Sequence, residues 1–158
     1  MNNIINLKSY KLIKRTKIED KKTLEFIKEL FQDEETIKYL GNLENDKDNT
    51  FIISDYNNNY IGYLSMSEKI TNREYLESIS LYYAINKKYR SIGHATNILK
   101  ELSDYLLNEV DMLVLMIDKN NIGSTKAAIN ASFNKENEYD DDVIYTKYKQ
   151  EIIKLKSK

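Results

Sequence analysis

Four glycines and no proline occur among 158 residues, so the chain has few of the residues that turn a backbone sharply or let it pass close to something else. Most turns must then be built from asparagine, aspartate and serine, and each of Gly41, Gly62, Gly93 and Gly123 is expected to mark a geometry that a side chain would obstruct. Lysine, asparagine, isoleucine and tyrosine dominate the rest, a bias read as AT-rich coding rather than as chemistry. The length fits one domain over 1–158, and 41% hydrophobic residues suffice for a core.

The charges exclude several classes. Lys and Arg number 24 against 25 Asp and Glu, which leaves no basic footprint for nucleic acid. With no cysteine and a single histidine, His94, disulfide scaffolds, Cys/His zinc sites and cysteine nucleophiles are absent, and no metal is expected. No apolar run approaches the roughly 20 residues of a membrane helix, and Met1 to Ile5 is too short and polar for a signal peptide. The expectation is a cytoplasmic protein, monomeric or homodimeric, with neither membrane nor nucleic acid as partner.

Periodicity gives the elements. Leu7 to Ile13 alternates as a first strand, and Ile18 to Phe31 carries apolar residues at 24, 27, 30 and 31, the helical spacing. A short helix over Glu34 to Leu40 stops at Gly41, and a polar, acidic stretch spans Asn42 to Asn49. Strands at 50–54 and 60–66 make a hairpin across Asp55 to Asn59, where asparagine tolerates the left-handed conformation. A longer strand covers Tyr75 to Ile85. Gly93 to Leu107 is an amphipathic helix with Ala95, Ile98, Leu99, Leu102, Tyr105 and Leu106 in one stripe. Met112 to Ile117 is uninterruptedly apolar, as in a strand covered on both faces. A helix near 123–131 and strands near Phe133 and at Val143 to Tyr148 complete the order β, α, α, β, β, β, α, β, α, β, β.

The informative unit is a strand ending in Tyr83-Ala84-Ile85, the turn Asn86-Lys87-Lys88-Tyr89, and the helix start Arg90-Ser91-Ile92-Gly93-His94-Ala95. Small residues at a helix start let a ligand approach N–H groups that the helix cannot satisfy, with the helix dipole behind them. That is an anion site suited to a pyrophosphate, although small residues there also serve packing. A nucleotide-binding protein of Rossmann type fits poorly, because the loop comes after several strands and lacks Gly-x-Gly-x-x-Gly.

The Arg-x-x-Gly-x-Ala pattern after a strand and a four-residue turn resembles the acetyl-CoA pyrophosphate loop of the GCN5-related N-acetyltransferase (GNAT) family. Asn121-Ile122-Gly123-Ser124, at the end of the next strand, resembles the family's Asn-x-x-Ser segment, and Ser132-Phe133 falls where the family has Gly-Phe. The phrase from Tyr83 to Arg90 is most similar to the branch containing ribosomal-protein N-terminal acetyltransferases and related polyamine or antibiotic acetyltransferases.

The resemblance implies an α/β (α+β) GNAT fold: a mixed sheet of six to seven strands, about four flanking helices, and an acetyl-CoA cleft between the strands at 79–85 and 112–118. It implies acetyl-CoA as cosubstrate. Backbone N–H groups of Arg90, Ser91, Ile92, Gly93, His94 and Ala95 would hold the pyrophosphate, and Tyr83, Ala84 and Ile85 would pair with the pantetheine arm, one N–H polarising the thioester carbonyl. Asn121 would bond the pantetheine or the amine and Ser124 would approach the thiolate, although both residue types are also favoured helix caps. The His94 side chain, at the motif's variable position, is expected to face solvent, and Lys87 and Lys88 to face the adenosine 3′-phosphate or simply water.

Amide formation needs a neutral amine, whereas a lysine-type amine titrates near about 10.4, so a proton acceptor is required. Glu77 is the candidate base, with Ser80 or Tyr82 through water as weaker ones. The family's tyrosine acid has no counterpart, since its position is Ala128, and Ser124 is the fallback. Five carboxylates between Glu136 and Asp142 could draw a cationic amine or remain a solvated loop. The sequence thus supports an N-acetyltransferase acting by direct transfer to a primary amine on a peptide or protein N-terminus, a polyamine or an aminoglycoside. A non-catalytic acyl-CoA-binding or regulatory module stands beside it.

Overall fold

The first strand expected from the sequence is two. In the computed structural model, which describes residues 3–15, 20–41, 43 and 48–157, β1 (Ile4–Asn6) and β2 (Tyr10–Lys14) form an antiparallel hairpin in which Ile5 faces Leu12. The turn is closed by the Leu7 N–H donating to the Tyr10 carbonyl at 2.8 Å. Leu7 lies in that turn and not in a strand, and the turn goes unannounced in the sequence because it contains neither glycine nor proline.

The chain folds into two compact units, 1–66 with 82–94 and 67–81 with 95–158. In the first, α1 (Lys21–Leu30) is capped by the Asp20 carboxylate, which accepts the Thr23 N–H at 2.8 Å and is held below the usual carboxylate range by that bond. The expected start at Ile18 lies outside the described residues. Ile27, Leu30 and Phe31 are buried as the spacing suggests, whereas Leu24 is exposed and Thr23 and Phe26 complete the buried stripe in its place. Next, α2 (Glu34–Leu40) ends at Gly41 with φ +53°, and most of the polar stretch after it lies outside the described residues. The strands β3 (Thr50–Asp55) and β4 (Tyr60–Met66) pair antiparallel. At their turn Asn58 adopts φ +65°, and the Asp55 carboxylate accepts the N–H groups of Asn57 and Asn59 at 3.0 and 2.9 Å. Beside β4 run the last four residues of a long strand, Tyr82 to Ile85. Phe26, Ile27, Leu30, Phe31, Leu40, Ile52, Tyr63 and Ala84 form this unit's apolar cluster.

Gly62 explains how the two strands come so close. A Cβ there would stand 2.4 Å from the Ala84 carbonyl oxygen, and the neighbouring Ile61 carbonyl accepts the Asn86 N–H at 2.8 Å. Only glycine admits that approach.

In the second unit, β5 (Ile70–Thr71), which no periodicity announced, pairs antiparallel with the start of β6 (Glu77–Ile85). β6 runs parallel to β7 (Met112–Asp118) from Ser78↔Met112 to Ser80↔Val114. The whole of β7 pairs antiparallel with β9 (Asp142–Tyr148), and β9 with β8 (Asn134–Glu138). The sheet is therefore mixed. Met116 is 47% exposed, which corrects the expectation that β7 is covered on both faces: its unbroken apolar run hides an alternation. The helices here are α3 (His94–Leu106), α4 (Ile122–Asn130) and α5 (Gln150–Lys156), the last short, largely exposed and unforeseen. Along α3 the expected stripe holds, with Ile98, Leu99, Leu102 and Leu106 buried. Among the described residues there are nine strands and five helices, more of each than the sequence suggested, and no helix is long and apolar enough to cross a membrane.

Candidate active site

The segment between β6 and α3 carries two distortions in three residues. Asn86 caps a single 3-10 turn over Lys87 to Tyr89, its Oδ1 accepting the Lys88 N–H at 3.3 Å. Arg90 is extended, Ser91 stands at φ +63° and Gly93 at φ +94°, and α3 begins at His94. Left-handed backbone at a serine is costly and persists only where its surroundings hold it. Gly93 meets nothing within 4 Å where a Cβ would sit, and Ser91, Ile92 and Gly93 are exposed. A loop so shaped leaves open space in front of a helix start whose first N–H groups have no partner within the helix, a geometry that fits an anionic group.

Two side chains of this segment are held by residues outside it. The Arg90 guanidinium donates from Nε to the Ile85 carbonyl at 3.0 Å and from Nη2 to Asp33 at 2.7 Å and Thr36 Oγ1 at 3.3 Å, and its Nη1 lies 2.8 Å from the Glu35 carboxylate. Asp33 is the cap of α2, accepting the Thr36 N–H at 3.2 Å. The Arg90 guanidinium above all, with the Thr36 bonds, holds its carboxyl below the usual range against the opposing effect of burial. His94 does not face solvent as expected: its Nδ1 shares a 2.7 Å hydrogen bond with the buried Tyr10 hydroxyl, and its ring meets those of Tyr10 and Tyr89 edge-on, each at 5.8 Å. Reading along the sequence missed Asp33, Glu35, Thr36 and Tyr10, because only the fold brings them to a loop more than fifty residues away. Lys87 and Lys88 are exposed.

In the second unit, Asn121 caps α4, its Oδ1 accepting the Ser124 N–H at 3.2 Å, while its Nδ2 takes no part in that bond. Ser124 is half-buried in the first turn. Gly123 has neither a positive φ nor a neighbour within 4 Å of a Cβ, so the protein itself imposes no glycine there, contrary to the expectation placed on all four. Ala128 is fully buried, and its carbonyl accepts the Phe133 N–H at 2.9 Å. Glu77 opens β6 with an exposed side chain, and its backbone is bound both ways to Asp111: N–H to carboxylate at 2.8 Å and carbonyl to N–H at 2.9 Å. The acidic run forms the β8–β9 hairpin, where Glu138 pairs with Lys135 at 3.2 Å and Lys119 at 3.8 Å. No group of His, Asp and Glu suited to a metal occurs among the described residues.

In a mixed-sheet α/β protein, a strained, open loop at a helix start is a geometry able to accept an anionic group on backbone N–H groups. The sequence narrows this: residues 10–134 match the acetyltransferase (GNAT) domain, and the chain belongs to that family. No curated protein matches it. Among solved structures, a GNAT-family acetyltransferase from Bacillus anthracis aligns over 93% of this chain and 99% of its own at 15% identity and TM-score 0.76. The Campylobacter jejuni N-acetyltransferase PseH, in complex with acetyl coenzyme A, aligns over 89% and 99% at 17% and 0.65. The ribosomal-protein-S5-alanine acetyltransferase from Vibrio fischeri aligns over 94% and 98% at 16% and 0.63. At these identities the likeness is one of fold, and it bears out the α/β GNAT architecture read from the sequence.

Proposed function

We propose that this protein is an acetyl-CoA-dependent N-acetyltransferase that moves the acetyl group directly to a primary amine. The observation that carries the reading is the loop of Ser91 to Gly93, open and strained in front of α3, in a chain of the GNAT family. When bound, acetyl-CoA supplies an acetyl thioester. The chain's own part is to hold the pyrophosphate on the backbone N–H groups of residues 90 to 95 and to offer the backbone of Tyr83 to Ile85 to the pantetheine arm. Asn121, through the Nδ2 left over from its cap, and Ser124 are carried over as cosubstrate contacts. Glu77 is the proposed base, its exposed carboxylate able to take a proton from an incoming ammonium through water. No cysteine is present to form an acetyl-enzyme, which favours direct transfer.

Substrates of the ribosomal-protein, polyamine and aminoglycoside kinds all present a primary amine and define the screen. Release of free CoA from acetyl-CoA is measured with each amine and compared with the Glu77→Gln variant. Amine-dependent release that falls with the variant supports the reading, and release no faster than the amine-free blank overturns it. The non-catalytic module remains the second reading, favoured by the fully buried alanine at position 128, where the family's tyrosine acid would stand. It is distinguished by CoA binding without release.

A further inference from the structure

The pyrophosphate loop is pinned at both ends by side chains outside it. We propose that Asp33, Thr36 and Tyr10 are positioning residues that hold residues 91–93 in their anion-accepting shape, acting through Arg90 on one side and His94 on the other. The inference rests on the reading of this loop as the cosubstrate's phosphate site.

Ser91 and Gly93 both lie at positive φ, and such a stretch relaxes unless its flanks are fixed. Arg90 fixes one flank. Its guanidinium ties the end of β6, at the Ile85 carbonyl, to the N-terminal cap of α2, at Asp33 and Thr36. His94 fixes the other through the hydroxyl of Tyr10 on β2. The Arg90 charge faces two carboxylates, Asp33 at 2.7 Å and Glu35 at 2.8 Å, and its side chain is only 24% exposed. The guanidinium therefore serves as a strut and not as a phosphate ligand, which departs from what an arginine in a phosphate loop suggests at first sight.

This arrangement makes a prediction with an unusual sign. Removing a carboxylate near an anion site should strengthen anion binding by simple Coulomb reasoning. If Asp33 acts as a positioning residue, its loss weakens binding instead.

The test measures dissociation constants of CoA and of S-acetylpantetheine, which lacks the pyrophosphate, for the wild type, Asp33→Asn and Tyr10→Phe. Asparagine keeps the cap of α2, and phenylalanine keeps the ring. Each variant is expected to bind CoA roughly tenfold more weakly, the scale of one lost charge-assisted or buried hydrogen bond, with acetylpantetheine unchanged. Glu35→Gln, at an exposed side chain, provides a variant that keeps the fold and should move CoA affinity in the same direction by less. CoA affinity that is unchanged or higher in Asp33→Asn and Glu35→Gln overturns the proposal, as does an equal loss for both ligands. A wild type that binds no CoA overturns the underlying reading as well, so the two failures are distinguishable.

Discussion

Replacing Gly62 by alanine should damage both stability and cosubstrate binding, whereas the same change at Gly123 should stabilise. At Gly62 the new Cβ would lie 2.4 Å from the Ala84 carbonyl oxygen and 3.4 Å from Ile85 Cδ1. Ordinary contact begins near the second of these distances, so a backbone carbonyl has to retreat by about 1 Å. It cannot do so freely, because the Asn86 N–H and side chain bind the Ile61 and Tyr60 carbonyls at 2.8 and 3.1 Å. Overpacking of this kind costs about 1–3 kcal/mol, and the lower entropy of the unfolded alanine chain returns about 0.5–1 kcal/mol of it. The net loss centres near about 1 kcal/mol and reaches about 2.5 kcal/mol, which corresponds to a Tm lowered by roughly 2–10 °C for a domain of this size. Gly123 lies in the first turn of α4 with nothing near its Cβ position, so alanine there should add up to about 1 kcal/mol. Thermal denaturation followed by circular dichroism reads both, and calorimetric titration with CoA should show weaker binding for Gly62→Ala, because the displaced Ala84 belongs to the stretch proposed to meet the pantetheine arm. A Gly62→Ala protein as stable as the wild type would refute the close-approach argument.

Three further outcomes follow. Ser132 is exposed at φ +70°, so Ser132→Gly should relieve left-handed strain of about 1–2 kcal/mol, less about 0.5–1 kcal/mol of chain entropy, and raise Tm by a few degrees. Asp33 has its folded pKa lowered by Arg90; the stability it contributes is present above the unfolded value of about 3.9 and is lost as pH falls through the folded one. Asp33→Asn should accordingly flatten the acid limb of a stability-against-pH curve, and an unaltered limb would contradict the ion pair. The Tyr148 hydroxyl, which donates to Glu136, is pushed up to about 12, chiefly by burial and then by that carboxylate. Its contribution to stability is present below the unfolded value of about 10 and is lost as pH rises through the folded one. Ultraviolet phenolate titration of the wild type against Tyr148→Phe should assign to this residue a step near 12, and a step near 10 would show the hydroxyl free.

The fold was legible where local periodicity and packing agree. The stripe Ile98, Leu99, Leu102 and Leu106 predicted α3 because one face of that helix is buried, and Gly41 marked the end of α2 because the chain there turns left-handed. The β1–β2 turn was not legible, since Ser9 and its neighbours turn without glycine, and α5 was missed because its residues are largely exposed and give no stripe. The loop at 90–95 was visible as a spacing of small residues around Arg90, but the role of the arginine was not. Its partners Asp33, Glu35 and Thr36 lie on another helix, and no local pattern encodes a contact between distant segments. The same holds for His94, whose side chain was expected in water and is instead bonded to Tyr10.

The most direct test of the account is calorimetric titration of acetyl-CoA into the wild-type protein and into Gly93→Ala, where a Cβ would be forced onto a backbone at φ +94°. The account predicts one site per chain for the wild type and a marked loss of affinity in the variant, with the fold retained by circular dichroism. No binding by the wild type at millimolar acetyl-CoA, or equal affinity in the two proteins, would contradict it.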